Sequence, residues 1–594
     1  MSSHPFVFAA AGGECLGWFH AATGPRRDVA VVMCRPLGYE ALCSYRTYSQ
    51  LANALAGAGF DVVRFDYHGC GDSSGGDSDP DRVGAWLESI SAATAQARRL
   101  SGASEIALFG MRLGATLAVE SAVRAGGVGS MMLWAPCPSG RTYVREMRAA
   151  FSSHAKAALE LDGGLEATGT LFTRETLASL ETLSSDRGPV APAQRILIVA
   201  RDDMPGEGPL PARYRSLGAD VTCATWPGYA DMMAEPHDAK LAPETLQSMV
   251  DWLSAAHPLK AGATSVPAPL DWPRPFGTGT VTESPVAFGD RSELFGVLTR
   301  PANPARSEKS DSAILLLNVG GNYRVGPNRV YVKIARDLAA AGYSVLRMDV
   351  SGIGDSRTDE GFTSASMYRD YATADVSAAI DMLQQRGCKR VFLLGICSGA
   401  YLAFQTALQD SRVNGQMIVN ARLLEWDAEK NGPWQASMQQ YYKSTRYYRQ
   451  ALLRADVYAR LLRGKVNVRG IAHRLSDLAA ARLRRIAVRL LGRPPQEGVL
   501  AKMKHLTARG VDTLVAMSAE DDGLDYMQFH LGSGGAKMRA HSNFRMVLVE
   551  EADHTFSTVA SQRALLRALR DYLDHMHEPA MAEPTVLAQP VATT

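Results

Sequence analysis

The sequence lacks several features that would mark an extracellular, membrane or nucleic-acid-binding protein. Its 594 residues include only eight cysteines, none of them in a Cys-x-x-Cys pair, which disfavours structural zinc and favours a reducing compartment. No run of 18 apolar residues occurs, and residues 1–11 lack a basic region followed by an apolar stretch, so we predict neither a membrane span nor a secretory signal. The net charge is only +2, which argues against a general nucleic-acid binder. These absences predict a cytoplasmic protein.

A repeated stretch indicates two domains of the same fold. Residues 51–73 align without a gap on residues 334–356, and 12 of the 23 positions are identical. In each copy strands alternate with helices, which is typical of βαβ units. We therefore predict an α/β protein with two tandem domains, each a mostly parallel sheet flanked by helices. The expected boundaries are a first domain over 1–255, a Pro-rich linker over 256–283, a second domain over 284–577 and a disordered tail over 578–594.

Each copy contains a glycine-bounded segment typical of a strand-to-helix turn that carries a nucleophile. The two segments are Gly110–Gly114 (GMRLG) and Gly395–Gly399 (GICSG). Such a turn exposes its central residue, and the flanking glycines let strand and helix approach closely. The central residue of the second segment is Cys397, whose thiol can attack a carbonyl, whereas Arg112 of the first is no nucleophile. The alternative for Cys397 is a small core residue, since free cysteine is often buried.

A thiol nucleophile needs a base and an acid that orients the base, and in this class of fold they follow in the order acid, histidine. Asp521 and His554 each come directly after an apolar segment of strand character. Because the C-terminal ends of parallel strands meet at one edge of a sheet, both are expected beside Cys397. Asp522 or Asp525 is an alternative acid, and His554 could instead cap a helix.

Backbone N–H groups are expected to stabilise the negative charge that develops on an attacked carbonyl. One candidate is the N–H of Ser398, and the others belong to Gly321 and Asn322, in the loop after the first strand of the second copy. Tyr323 and Arg329 are expected to line the pocket or to bind a partner, although a polar loop without that role would have the same composition.

The first copy lacks the residues that this chemistry requires. Arg112 replaces the nucleophile, and residues 227–233, where the histidine is expected, contain no imidazole. Asp203 is the candidate remnant of the acid. A guanidinium at a helix N-terminus faces an unfavourable dipole, so we expect an acidic partner for Arg112 and favour a salt-bridged structural role over an anion-binding pocket. Four aspartates of the repeated segment are expected to fix its Gly-x-Gly turns, namely Asp66, Asp72, Asp349 and Asp355.

The second copy also carries a basic insertion over about 421–505. From Lys443 to Arg493 it has 14 Lys or Arg residues against two acidic ones, Asp456 and Asp477. The spacing of Leu and Ala between the arginines predicts an amphipathic helical cap. Its basic face is either a solvated surface or a docking surface for an anionic substrate or an acidic carrier.

We call the two strand-to-helix turns, Gly110–Gly114 and Gly395–Gly399, elbows. These elbows, the Gly-x-Gly-Asp-Ser turns and the ending Ala552–Ser557 (ADHTFS) together resemble the α/β-hydrolase superfamily, in its serine-aminopeptidase-like (S33-type) branch. The first copy, with its segment Arg35–Glu40 (RPLGYE), is similar to hydrolase-like proteins that accompany bacterial exopolysaccharide and exosortase gene clusters. Cys397 occupies the place where this superfamily usually has serine. Similar cysteine elbows occur in dienelactone-hydrolase-like enzymes and in aminoacyl shuttles between carrier proteins.

These patterns predict an acyl-transfer enzyme, an ester or thioester hydrolase or an acyltransferase, that uses Cys397, His554 and Asp521. The expected partner is a small-molecule or carrier-bound acyl substrate, with an acidic carrier protein as one form of it, and neither a cofactor nor a metal is expected. The alternative is a catalytically silent binding or scaffold protein associated with exopolysaccharide or carrier-protein biosynthesis. The sequence contains no signal for an oligomeric state.

Overall fold

The computed structural model describes residues 3–576 except for short internal gaps and one long one. The gaps are 153–162, 168, 205, 207, 235, 237, 261–271, 278, 304–308, 310, 358–365 and 427–497. Most of the predicted basic cap and the whole predicted tail therefore lie outside the described residues. Among the helices within the described ranges, none has the length and apolar character needed to cross a membrane.

The first domain alternates strands with helices after an N-terminal hairpin. Its strands are β1 (Ser3–Ala10), β2 (Gly13–His20), β3 (Val29–Cys34), β4 (Asp61–Phe65), β5 (Glu105–Met111), β6 (Val128–Trp134), β7 (Leu165–Ala167), β8 (Thr170–Phe172), β9 (Arg195–Val199) and β10 (Asp220–Ala224). Its helices are α1 (Gly38–Cys43), α2 (Tyr45–Gly57), α3 (Arg82–Ser101), α4 (Leu113–Ala125), α5 (Gly140–Ser152), α6 (Arg174–Thr182), α7 (Leu210–Ser216), α8 (Tyr229–Met232) and α9 (Pro243–Ala256).

Eight of these strands form one sheet in the order β1-β2-β4-β3-β5-β6-β9-β10. The hairpin of β1 and β2 joins it antiparallel, and the strands from β4 to β10 are parallel. Every residue of β3 is buried, because helices cover both faces of a parallel sheet and its central strands must be apolar throughout. β7 and β8 form a separate two-stranded hairpin.

The second domain repeats this pattern. Its strands are β11 (Phe276–Gly277), β12 (Val281–Phe288), β13 (Leu294–Pro301), β14 (Ser312–Leu317), β15 (Ser344–Asp349), β16 (Arg390–Ile396), β17 (Val413–Val419), β18 (Asp512–Ser518) and β19 (Phe544–Val549). Its described helices are α10 (Val330–Ala340), α11 (Asp370–Gln385), α12 (Ser398–Gln409), α13 (Val499–Ala508), α14 (Gly523–Leu531) and α15 (Val559–His575). Short 3-10 helices cover Pro327–Arg329, Ser366–Tyr368 and Ser533–Met538.

The second sheet has nine strands in the order β11-β12-β13-β15-β14-β16-β17-β18-β19. Its strands from β15 onward are parallel and follow the same crossovers as β4 to β10. The predicted fold, two tandem mostly parallel sheets flanked by helices, is confirmed. β11 begins at Phe276, inside the stretch expected to be linker, because a two-residue strand paired with β12 needs no sustained apolar pattern.

The two domains pack through equivalent surfaces. Arg64 of the first domain pairs with Asp355 of the second, and Arg347 of the second pairs with Asp72 of the first. The alignment of the repeated segment equates Arg64 with Arg347 and Asp72 with Asp355, so the two contacts are reciprocal. Reciprocal contacts define an approximately two-fold, self-complementary interface.

An apolar seam and a buried arginine accompany these ion pairs. Leu16 and Trp18 of β2 form one buried cluster with Phe295 and Val297 of β13. Arg324 has no exposed side-chain surface and contacts Asp72 at 2.7 Å, Asp349 at 2.6 Å and Asp355 at 2.8 Å. Buried charges are costly unless they are paired, so this cluster holds the two domains in one arrangement.

The structure divides the four aspartates of the repeated segment into two roles. Asp66 accepts a hydrogen bond from the N–H of Asp72, and Asp349 accepts one from the N–H of Asp355. Asp66 and Asp349 thus fix the turns as predicted. The prediction was wrong for the side chains of Asp72 and Asp355, which pair with arginines instead. Each has an arginine partner in the other domain, which no local pattern indicates.

Candidate active site

Cys397 lies at a strained turn between β16 and α12. Its φ is 57°, in the left-handed region that side-chain-bearing residues rarely adopt. The turn is possible because a Cβ atom on Gly395 would lie 2.0 Å from the Gly399 backbone. A Cβ on Gly399 would in turn lie 2.7 Å from the carbonyl oxygens that end β14. The elbow therefore needs glycine at both flanks, and it leaves the Cys397 side chain partly accessible to solvent.

Three side chains predicted to act together come into contact in the structure. His554 Nδ1 forms a hydrogen bond with the Asp521 carboxylate, and Cys397 lies close enough to His554 for each group to shift the pKa of the other. Asp521 is 2% exposed and follows β18, whereas His554 follows β19, so the parallel strands deliver both to the edge where the elbow lies. The Asp521 carboxylate, the first of the three candidate acids, hydrogen-bonds the imidazole.

The electrostatics of the site favour a thiolate beside an imidazolium. Burial raises the pKa of the Cys397 thiol, but the charge and hydrogen bond of His554, with a smaller effect from Arg422, lower that pKa below its ordinary value overall. Burial also opposes the charge on His554, yet Cys397 and Asp521 raise its pKa to about 10. The thiolate is the reactive form of cysteine, and a lowered thiol pKa increases the fraction of thiolate at neutral pH.

Asn420, which sequence reasoning missed, ties together the loops that carry the acid and the histidine. It has a positive φ of 46°, and its Nδ2 donates to Ser518 Oγ at 2.8 Å and to the carbonyl oxygen of His554 at 2.9 Å. Its Oδ1 accepts from the N–H of Ser518 at 2.7 Å. The signal available in the sequence was a polar residue directly after the apolar end of β17.

The predicted oxyanion loop is attached to the elbow. The N–H of Gly320 donates to Ser398 Oγ at 2.7 Å, which brings the loop beside the first turn of α12. Asn322 closes a turn on Val319 through its N–H at 3.0 Å and its Nδ2 at 2.8 Å, and Gly321 lies within this turn. Asn318 Nδ2 supports the turn from behind by donating to the Asn322 carbonyl at 3.0 Å.

Tyr323 and Arg329 both belong to the contact between the domains, and their role in lining a pocket stays a prediction. Tyr323 is 3% exposed and stacks on Tyr45 of the first domain with ring centroids 3.8 Å apart. Arg329 donates to four carbonyl oxygens of the first domain, those of Gly69, Gly71, Ser73 and Gly75. The loop faces the neighbouring domain, which a single copy of the pattern cannot indicate.

The first domain has the same elbow with a different set of side chains. Arg112 has a φ of 53°, and its guanidinium pairs with Glu40 at 2.7 Å and with Glu146, the acidic partners that its position demands. Tyr229 lies five residues after the end of β10, as His554 lies five residues after the end of β19. Among the described residues, Arg112 thus occupies the position of the nucleophile and Tyr229 that of the histidine.

The structure does not place Asp203 where an acid remnant would lie. Asp203 accepts two hydrogen bonds from Arg201, at 2.8 and 2.7 Å, near the surface. Its neighbour Asp202 contacts the loop around Tyr229 instead, accepting from the N–H groups of Gly228 at 2.6 Å and Ala230 at 3.0 Å. These two adjacent aspartates after a strand have different partners, which the sequence alone does not indicate.

A family model for the serine aminopeptidases, S33, matches residues 42–179 and 314–470, one region in each domain. The chain belongs to the S33-type branch of the α/β-hydrolase superfamily. No curated protein matches it in sequence.

Solved structures with similarity to this chain include three bacterial hydrolases. An α/β serine hydrolase homologue from Coxiella burnetii is 19% identical over 43% of this chain and 98% of its own, with a TM-score of 0.28. Est1E from Butyrivibrio proteoclasticus with bound ferulic acid is 15% identical over 42% and 98%, with a TM-score of 0.33. A dienelactone hydrolase from Anabaena variabilis is 14% identical over 50% and 98%, with a TM-score of 0.29.

Proposed function

We propose that the second domain of this S33-type α/β-hydrolase transfers acyl groups through a covalent thioester on Cys397. The observation that carries the proposal is the hydrogen bond of His554 with Asp521, beside the Cys397 elbow whose thiol pKa His554 lowers. A nucleophile, a base in contact with it and an acid that orients the base are the parts that covalent acyl transfer requires.

The reaction follows from these contacts in two steps. The Cys397 thiolate attacks the carbonyl carbon of an ester or thioester, and the N–H groups of Ser398 and Gly321 stabilise the oxyanion, since the Asn322 N–H is already donated to Val319. The tetrahedral intermediate collapses when His554 donates a proton to the leaving group, which leaves an acyl-thioester on Cys397. An incoming nucleophile then loses a proton to His554, attacks the thioester and releases the thiolate.

The choice of cysteine supports transfer to an amine or thiol alongside hydrolysis. An acyl-cysteine is a thioester, which amines and thiols attack more readily than an oxygen ester. The excess of basic over acidic residues between Lys443 and Arg493, 14 against two, supports an anionic partner such as an acidic carrier protein with a phosphopantetheine arm. We therefore propose a carrier-bound or small-molecule acyl thioester as the substrate.

An acyl-enzyme assay tests this proposal. The full chain is incubated with short acyl thioesters and with p-nitrophenyl esters, and its intact mass is measured. We expect an acyl adduct that is absent from the Cys397→Ala variant and that water, an amine or a thiol removes at different rates. Absence of an adduct with every donor, together with unchanged behaviour of Cys397→Ser, would instead support a catalytically silent binding or scaffold protein.

A further inference from the structure

A hairpin of the first domain reaches the catalytic edge of the second. It consists of β7 and β8, and its residues Leu165, Ala167 and Phe172 are buried in the core of the first domain. The intervening Glu166 faces the other way, and its carboxylate accepts a hydrogen bond from the N–H of Val559. The hairpin is thus anchored in one domain and bonded to the other.

The helix that Glu166 contacts is the one that follows the histidine loop. α15 begins at Val559, five residues after His554. The first N–H groups of a helix lack partners within the helix and carry partial positive charge, so a carboxylate there satisfies a donor and stabilises the helix start. Thr558 caps the N–H of Ser561 from within the second domain, and Glu166 provides the acceptor for Val559 from the first.

Gly169, which directly precedes β8, packs closely against the second domain. The carbonyl oxygen of Gly169 accepts from Lys333 Nζ at 3.0 Å and from Gln562 Nε2 at 3.5 Å. A Cβ on Gly169 would lie 2.4 Å from Gln562 Nε2 and 2.6 Å from Asn328 Cβ. Asn328 Nδ2 in turn donates to the carbonyl oxygen of Thr555 at 3.5 Å, so the hairpin rests on segments on both sides of the histidine loop.

Glu166 is 2% exposed, and a buried carboxylate is retained only where it has a partner. Burial raises its pKa, and the Val559 N–H together with the charges of Lys333 and Arg563 opposes that rise. Each of these three residues belongs to the second domain. The pKa of Glu166 is raised overall, and the contact between the domains supplies the partners that offset part of the cost of burying its carboxylate.

We propose that Glu166 is a positioning residue for His554, so that the first domain completes the catalytic site of the second without contributing a reacting group. This inference rests on the proposed function. Glu166 holds the start of α15, the start of α15 holds the end of the histidine loop, and the loop aligns the imidazole between Cys397 and Asp521. The buried ion pairs around Arg324 keep the domains docked, so the hairpin stays on α15.

The test measures the rate at which Cys397 is alkylated by iodoacetamide from pH 5 to pH 9, with site-resolved peptide mass spectrometry on the full chain. Alkylation reports the thiolate and needs no substrate. The groups that set the profile are Cys397, His554, Asp521 and Arg422. We expect Glu166→Ala to slow alkylation at pH 6 about fivefold and to move the rising limb of the profile to higher pH, because a misaligned imidazole stabilises the thiolate less.

Two further variants make the result specific. Glu166→Gln keeps an oxygen that accepts from Val559 and should recover most of the rate. Tyr45→Phe removes a hydrogen bond between the domains, from Tyr45 Oη to Asp355 at 2.5 Å, away from α15, and should leave the profile unchanged. An unaltered profile in Glu166→Ala, or an equal shift in Tyr45→Phe, would overturn the inference.

The same measurement separates this inference from the proposed function. A profile that depends on Glu166 in a protein that forms no adduct with any acyl donor would refute acyl transfer and leave the positioning role intact. An adduct that forms in the wild type and forms at the same rate in Glu166→Ala, with an unaltered alkylation profile, would refute the positioning role and leave acyl transfer intact.

Discussion

The two elbows of this protein have nearly the same backbone conformation but different side chains at and around their central residue. Cys397 and Arg112 have φ values of 57° and 53° and ψ values of −114° and −126°, and each begins a helix after a buried strand. Around Cys397 lie His554, Asp521 and Asn420, whereas Arg112 is neutralised by Glu40 and Glu146. Glycine packing thus preserves the strained turn whether or not a nucleophile occupies it, and reactivity depends on the side chains that later strands supply.

The largest difference between the elbows should appear when the base is removed. His554→Ala is expected to lower the rate of acyl-enzyme formation by about a thousandfold, because the thiolate and the proton donor are lost together. Stopped-flow release of p-nitrophenol measures this rate. Arg112→Cys serves as the control: a thiol at the first elbow should form no adduct, since Tyr229 cannot replace an imidazole. An adduct at residue 112 would contradict our account of the first domain.

The reciprocal ion pairs should contribute strongly to stability on both sides of the interface. Arg347→Met leaves Asp72 and Glu283 buried without one of their guanidinium partners, which costs about 3–5 kcal/mol when a buried pair is broken. Arg64→Met is the equivalent change in the first domain and should destabilise in the same direction. Urea unfolding followed by circular dichroism measures both. A loss below about 1 kcal/mol in both variants would mean that the apolar seam alone holds the domains.

Asn420 should account for part of the functional difference between the elbows. The alanine after β6, Ala135, has a positive φ of 49° like Asn420 but no side chain that could bond a histidine loop. Asn420→Ala should therefore lower the rate of acylation about tenfold by releasing the loops of Ser518 and His554. Asn420→Asp retains one acceptor and serves as the comparison. Equal rates in wild type and Asn420→Ala would show that the loops hold themselves.

The smallest expected effect is the pH dependence of stability that arises from the groups bonded to Arg64 and Arg347. Arg64 donates to His20 at 2.9 Å, whereas the equivalent Arg347 donates to Glu283 at 2.7 Å. Burial and the charge of Arg64 lower the pKa of His20 to about 3 from 6.5. His20 of the unfolded chain is therefore protonated at a higher pH than His20 of the folded protein, and stability falls as pH drops below 6.5. Glu283 has a lowered pKa, and the stability it contributes is present above pH 4.5.

His20 should therefore make the protein less stable by about 0.7 kcal/mol at pH 6 than at pH 7, and the loss should grow toward pH 5. Unfolding by urea at several pH values measures it, and His20→Gln should flatten the dependence in this range. A dependence that persists in His20→Gln would assign it to another histidine.

Local patterns were sufficient for much of the fold and for the candidate triad. Alternating strands and helices predict the parallel sheets, because each element must bury its apolar face on its neighbour. Cys397, Asp521 and His554 were predicted together because each follows a strand, and parallel strands end at one edge. The same reasoning named Asp203 in the first domain, whereas its neighbour Asp202 contacts the loop around Tyr229, because two adjacent polar residues after a strand have the same local pattern.

What the sequence by itself determined was the duplication, the fold of each copy and the residues available for chemistry at each elbow. Only the tertiary structure decided what Asp72, Asp355, Tyr323, Arg329 and Glu166 contact. Each of them has a partner in the other domain, hundreds of residues away, and a self-complementary interface leaves no periodic pattern in either copy. Sequence periodicity records how a strand or helix faces its own core, whereas the contact between two cores depends on shapes that exist only after both have folded.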